Sequence, residues 1–181
     1  VLTGIGTAKK DNPMLNVRLD DNKIYRQPVR VVLDSHLKIN MESVLVKSAD
    51  SIPVIIFCKD NLTHTELIKK KELESRGIKI LSAHSDNNHS ILYNQLKMLG
   101  ELGIDSILVE SGGTLNSSFF FDEKDLVQEV HVYIAPKIFG NDGKSIFTPV
   151  RGKGINFPSE CINLNNPEIE YFDGDILIKY K

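Results

Sequence analysis

Val109-Glu110-Ser111-Gly112-Gly113-Thr114-Leu115-Asn116-Ser117-Ser118-Phe119 carries an apolar run into paired glycines and out into a segment of helical length. Just upstream, Ile104-Asp105-Ser106-Ile107-Leu108-Val109 reads as a buried strand. A buried strand that turns on glycine into a helix is a unit of parallel α/β architecture. Working toward the N-terminus, Val29-Arg30-Val31-Val32-Leu33-Asp34, Val54-Ile55-Ile56-Phe57-Cys58 and Ile78-Lys79-Ile80-Leu81 repeat the β-branched pattern. Charged or amphipathic segments precede the strands at 78 and 104, and each ends in the glycine expected just past a helix, Gly77 and Gly103. Ile91, Leu92, Gln95, Leu96, Leu99 and Leu102 present one face for packing on a sheet, whereas the charged stretch 65–76 belongs at the surface. Toward the C-terminus, Val130-His131-Val132-Tyr133-Ile134 alternates in part. Ile169-Glu170-Tyr171-Phe172, Asp173-Gly174-Asp175 and Ile176-Leu177-Ile178 then spell a hairpin. The pattern predicts an α/β fold, a mainly parallel central sheet flanked by helices with a C-terminal antiparallel hairpin.

The glycine turn also has chemical meaning. Paired glycines leave backbone N–H groups uncovered, and the N-terminus of the following helix favours an anion. Thr114, Ser117 and Ser118 add hydroxyls. The segment has neither the G-x-x-x-x-G-K-[ST] nor the G-x-G-x-x-G order, which excludes a P-loop ATPase and an ordinary dinucleotide-binding turn. From these residues alone, a tight strand-to-helix turn without a ligand reads as well as a phosphate site. Glu110, at the strand end where ligands of open α/β sheets sit, reads either as an acceptor for a sugar or pyrimidine or as a solvated carboxylate.

A chain of 181 residues is the size of one domain and long enough for a single core. A formal charge of -2 argues against a nucleic-acid surface and for small-molecule ligands. Two cysteines, Cys58 and Cys161, lie far apart and outside any metal-ligand spacing, so neither a metal site nor a disulfide framework is expected, and a reducing, cytoplasmic setting is. The apolar stretch 52–58 falls far short of the ~20 residues of a membrane span. Without an initiator Met or a leader, the chain is expected to be a piece that starts mid-fold.

At the N-terminus, Leu2-Thr3-Gly4-Ile5-Gly6-Thr7 reads as a second glycine-flanked loop. Asp11-Asn12-Pro13-Met14-Leu15-Asn16-Val17-Arg18 follows with an Asn-Pro turn and an arginine just beyond it. A guanidinium offers a planar fork that matches phosphate oxygens, although a surface role is the commoner one for any single arginine.

Three blocks taken together, VLTGIGTAKKDNPMLNVR, PVRVVLDSHLKI and ILVESGGTLNSSFF with the following EVHVYIAPKIFG, resemble the C-terminal reductase domain of bifunctional RibD riboflavin-biosynthesis proteins, within the dihydrofolate-reductase-like superfamily. The resemblance spans almost the whole chain. Ser111, Ala8 and Ser117 depart from residues commoner in that family. The resemblance implies a dihydrofolate-reductase-like fold and NADPH-dependent reduction of 5-amino-6-(5-phosphoribosylamino)uracil to its ribitylamino counterpart. It places Thr7, Asp11, Ser35 and the run Gly112, Gly113, Thr114, Leu115, Asn116, Ser117 and Ser118 on the cofactor, and Leu15, Arg18 and Glu110 on the substrate. Asp11 and Glu110 are the carboxylates in these blocks able to relay a proton. Ser35, then Lys59, are the residues expected beside a cofactor 2′-phosphate.

The resemblance further implies a strand, a loop and a helix ahead of the first block, fusion to a deaminase domain whose H-x-E and P-C-x-x-C signatures are not in this sequence, and a homodimer formed through the C-terminal third. Three alternatives stay open. They are a dihydrofolate reductase proper, a reductase of the still-aminated pyrimidine, and a nucleotide-binding or assembly fragment without catalysis.

Overall fold

In a computed structural model the chain is described over residues 1–19, 23–86, 88–122, 125–138, 140, 159 and 161–181. The elements run β1 (Leu2–Gly4), α1 (Ile5–Asp11), β2 (Arg30–Leu33), α2 (Val44–Lys47), β3 (Val54–Cys58), α3 (His64–Ser75), β4 (Lys79–Ser82), α4 (Ile91–Glu101), α5 (Gly113–Phe121), β5 (Val130–Ile134), β6 (Glu168–Phe172) and β7 (Asp175–Tyr180).

Strands β1 to β4 form a parallel sheet in chain order, with Val31 opposite both Leu2 and Ile55, and Ile56 opposite Ile80. Side chains alternate across such a sheet. Val32, Val54, Ile56 and Cys58 therefore pack on one side with Ala8 of α1, Leu45 and Val46 of α2 and Leu73 of α3. Leu2, Val31, Ile55 and Phe57 pack on the other with Leu92 and Leu99 of α4 and Phe119 of α5. Every residue of β3 is buried, as the unbroken apolar run 54–58 requires of a strand covered on both faces.

Helix starts follow from local chemistry. The Thr63 hydroxyl accepts from Glu66 N–H while the Glu66 carboxylate accepts from Thr63 N–H, a closed capping box at the start of α3. The Ser90 hydroxyl accepts from Tyr93 N–H at the start of α4. As its charge pattern predicts, α3 buries only Leu73.

Two expectations are refined. The glycine-flanked loop expected over residues 2–7 is a three-residue strand followed by the helix α1, because Gly6 meets nothing within 4 Å and Thr7, Ala8, Lys9 and Lys10 continue the helix to a left-handed Asn12 at φ 42°. The strand expected over 104–109 touches the sheet only near its end. Leu2 N–H donates to Leu108 O and Glu110 N–H donates to Leu2 O, which places Val109 beside β1.

The predicted hairpin is β6 and β7, joined through Asp173 and Gly174 at φ 44° and 92°, the left-handed pair of a tight hairpin turn. These strands do not extend the parallel sheet. With β5 they form a separate antiparallel sheet in the order β5, β7, β6. No helix among the described residues is long and apolar enough to cross a membrane.

Candidate active site

The carboxyl ends of the parallel strands lie along one edge of the sheet, the usual ligand face of an open α/β sheet. Glu110 follows the strand beside β1, Thr7 and Asp11 lie on the helix that leaves β1, Ser35 follows β2 and Lys59 follows β3. Neighbouring strands are about 4.8 Å apart, so the row from Glu110 to Lys59, three intervals, spans about 14 Å. That is a groove-sized row of polar groups on a rigid base.

Its first part is built where two blocks distant in sequence meet. A side-chain carbon placed on Gly112 would lie 3.8 Å from Thr7 Oγ1, and one on Gly4 would lie 3.5 Å from Leu115 Cδ2. The start of α1 thus packs against the first turn of α5. Gly112 caps α5 without a side-chain hydrogen bond. Leu115 and Asn116 N–H groups both return to Gly112 O, which leaves the Gly113 and Thr114 N–H groups at the exposed helix start. Glycine-backed N–H groups, the positive end of α5 and the Thr7 hydroxyl together suit a phosphate. Around them, Ser111 Oγ lies 2.6 Å from Asn116 Oδ1, which stiffens the turn, and Thr3 Oγ1 donates to Glu110 O at 2.7 Å, which fixes the strand end. The Glu110 residue is itself exposed. Ser117 does not face outward. It is buried and its hydroxyl donates to Gly113 O at 2.9 Å, so it braces the first turn from within.

The far part of the row opens into a cavity of about 290 Å³ lined by Ser35, Lys59, Asp60, His84, Ser85 and Gln95, among others. Lys59 N–H donates to Ser35 O at 3.1 Å, so these two residues are held side by side. Lys59 Nζ lies 3.0 Å from His36 Nδ1 and 3.5 Å from Glu66 Oε2, while Glu66 Oε1 lies 2.9 Å from His36 Nδ1. Hydrogen bonding from Thr63 N–H, then from His36, holds the Glu66 carboxyl down at about 2. On the other wall His84 Nδ1 lies 2.7 Å from Asp60 Oδ2. The histidines went unread in the sequence because their meaning depends on β2, β3 and β4 lying side by side. Their position just after a strand was the available signal. A second cavity of the same volume, lined by Phe119, Val127, Val130, Leu164 and Tyr180, lies beside the antiparallel sheet and away from these groups.

Segment 12–18 forms the remaining part. Arg18 and Asp11 are exposed. Leu15, expected to face a substrate, lies at φ 49° with its side chain in the core cluster that holds Ala8 and Leu37. The structure therefore brings Thr7 and residues 112–116 together, sets Ser35 and Lys59 further along the same edge, and turns Leu15 and Ser117 inward.

A family described as the RibD C-terminal domain matches residues 1–178. The chain belongs to that family. It is 36% identical over 180 residues to the riboflavin biosynthesis protein RibD of Actinobacillus pleuropneumoniae, covering 99% of this chain and 45% of that protein. It is 29% identical over 161 residues to the 5-amino-6-(5-phosphoribosylamino)uracil reductase of Buchnera aphidicola, covering 81% of this chain and 70% of that one. The RibD structure of Acinetobacter baumannii superposes with a TM-score of 0.76 at 22% identity, over 99% of this chain and 45% of that chain, which shows a shared fold. The chain thus spans less than half the length of the first of these RibD relatives. As a member of the RibD C-terminal family, it brings its first block and the glycine turn of the third together beside β1, with the second block supplying the neighbouring strand β2.

Proposed function

We propose that this chain is an NADPH-dependent reductase of 5-amino-6-(5-phosphoribosylamino)uracil, working in riboflavin biosynthesis. The observation that carries the reading is the meeting of Thr7 with the uncapped, glycine-started helix α5, which makes a phosphate cradle at the head of a polar row about 14 Å long. The residues present fit a dinucleotide. Residues 112–116 and Thr7 would hold the pyrophosphate, and Ser35 with Lys59 would receive the 2′-phosphate end. Bound there, the cofactor supplies a hydride to C1′ of the substrate's opened ribosyl group.

The chain's own residues do the rest. Arg18, an exposed guanidinium on an anchored segment, pairs with the substrate phosphate. Glu110, fixed by its backbone to Thr3 and Leu2, hydrogen-bonds the substrate. Reduction at C1′ needs one proton on the neighbouring nitrogen or oxygen, and Asp11 or Glu110 delivers it. Positioning of donor and acceptor carbons contributes most of the rate. Relatives about twice as long support a second domain in the whole protein, which we assign to a deaminase, and two free cysteines suit a cytoplasmic setting. We also assign a homodimer.

Mass spectrometry after incubation with NADPH and the phosphoribosylamino-pyrimidine tests the proposal. The expected product carries two more hydrogens than the substrate, in step with NADPH consumed. Recovery of unchanged substrate beside unconsumed NADPH overturns it.

A further inference from the structure

Arg30 opens β2 with a side chain wholly shielded from solvent. A buried cation is expected to sit against a carboxylate, yet none of the ion pairs among the described residues involves Arg30. Its guanidinium instead donates from Nη1 to Ser48 Oγ at 2.7 Å and to Met14 O at 3.3 Å, and from Nη2 to Ser48 O at 3.1 Å and to Ile52 O. Burial pulls its pKa below the ordinary value. Packing alone would be served better by an apolar side chain. What an arginine adds is a fork wide enough to join the end of α2 to segment 12–18.

That segment is tied at two further places. Asn12 Oδ1 accepts from Val44 N–H, the first residue of α2, at 2.9 Å. The Gln27 side chain pairs with the Val17 peptide in both directions: Val17 N–H donates to Oε1 at 2.9 Å, and Nε2 donates to Val17 O at 3.3 Å. Between the ties the chain takes left-handed backbone at Asn12, φ 42°, which asparagine adopts readily at a helix end, and at Leu15, φ 49°, which a bulky side chain adopts only when its surroundings impose it. Three anchors within seven residues thus fix the backbone up to Val17, and the next side chain is the exposed Arg18.

We infer that Arg30 and Gln27 are positioning residues, which hold segment 12–18 in the shape that presents Arg18 to the phosphate of a phosphorylated sugar. This rests on the reading of Arg18 as the substrate's phosphate ligand. Neither residue touches substrate. Each acts through the backbone that carries Arg18, so losing an anchor lets the guanidinium wander and weakens phosphate binding while the cofactor cradle at α5 is untouched.

The test is calorimetric titration of the chain with ribose 5-phosphate, alongside NADPH titration, thermal melting and steady-state turnover, for wild type, Gln27→Ala, Arg30→Lys, Arg18→Ala and the Gln27→Ala, Arg18→Ala pair. Gln27→Ala and Arg30→Lys are expected to weaken ribose 5-phosphate about tenfold and to raise the substrate KM in proportion, with kcat and NADPH affinity near wild type. In the Arg18→Ala background Gln27→Ala should add no further loss, because the two share one effect. Gln27→Glu, which keeps the acceptor for Val17 N–H, should recover part of the binding and stands in if the alanine variant does not fold. Unchanged ribose 5-phosphate affinity in Gln27→Ala or Arg30→Lys, losses additive with Arg18→Ala, or a wild type that does not bind ribose 5-phosphate would each overturn the inference. Binding without turnover in the wild type would defeat the reductase reading and leave the positioning role standing.

Discussion

At Gly112 the backbone conformation is open to any residue, and the nearest atom to an added methyl would be Thr7 Oγ1 at 3.8 Å. The glycine is therefore needed neither for a turn nor for packing within the described structure, and its remaining value is access to the first N–H groups of α5. Gly112→Ala should cost about 1 kcal/mol at most, because alanine is a poorer N-cap than glycine. It should also weaken NADPH about tenfold by standing between the phosphate and the backbone. Titration of NADPH fluorescence measures the second, and an unchanged affinity would remove the pyrophosphate from this turn. At the same scale, Leu15 and Ser117 turn their side chains inward. A motif names the position that contacts a ligand, but only packing decides whether its side chain or its backbone is presented.

Among the elements, α3 offers a measurable pH dependence. The Glu66 carboxyl is lowered from an ordinary 4.5 to about 2 because it accepts from Thr63 N–H and, next, from His36. A depressed carboxyl stabilises the fold above its unfolded pKa and loses that contribution as pH falls through the folded value. Melting temperature should accordingly fall between about pH 4.5 and pH 2 more steeply in wild type than in Glu66→Gln, which keeps the Thr63 hydroxyl cap. Equal slopes would show that the capping box adds nothing in this range. Elements were legible in the sequence in proportion to the length of their pattern. The run 54–58 gave its strand to the residue, and the Thr65 to Arg76 reading missed α3 by one position at each end. Four-residue α2 is too short to show periodicity, and α1 was hidden by Gly4 and Gly6, whose usual meaning is a loop.

For the whole molecule, the sheet edge is what converts separate motifs into one site. Thr7 and Gly112 are 105 positions apart in the chain and become neighbours because β1 pairs with the strand at Val109. The His36, Lys59 and Glu66 cluster exists only because β2, β3 and the start of α3 end side by side. The family resemblance assigns both residues of the first juxtaposition to the cofactor, without saying that they meet. Nothing local in the chain announces the second. If the row binds a dinucleotide along its length, a hundredfold excess of NADPH over its Kd should stabilise the fold by about 2.7 kcal/mol by mass action. NADH at the same concentration should give a smaller rise in melting temperature, since it lacks the phosphate for Ser35 and Lys59. Equal rises would place the 2′-phosphate elsewhere.

The central claim is that this edge sets the nicotinamide against C1′ of the substrate's ribosyl group. NADPH carrying deuterium at C4, prepared as each of its two epimers, tests that contact directly when the product is read by NMR. One epimer should deliver its deuterium to C1′ of the ribityl chain and the other should retain it. A product with no deuterium at C1′ from either epimer would contradict the account.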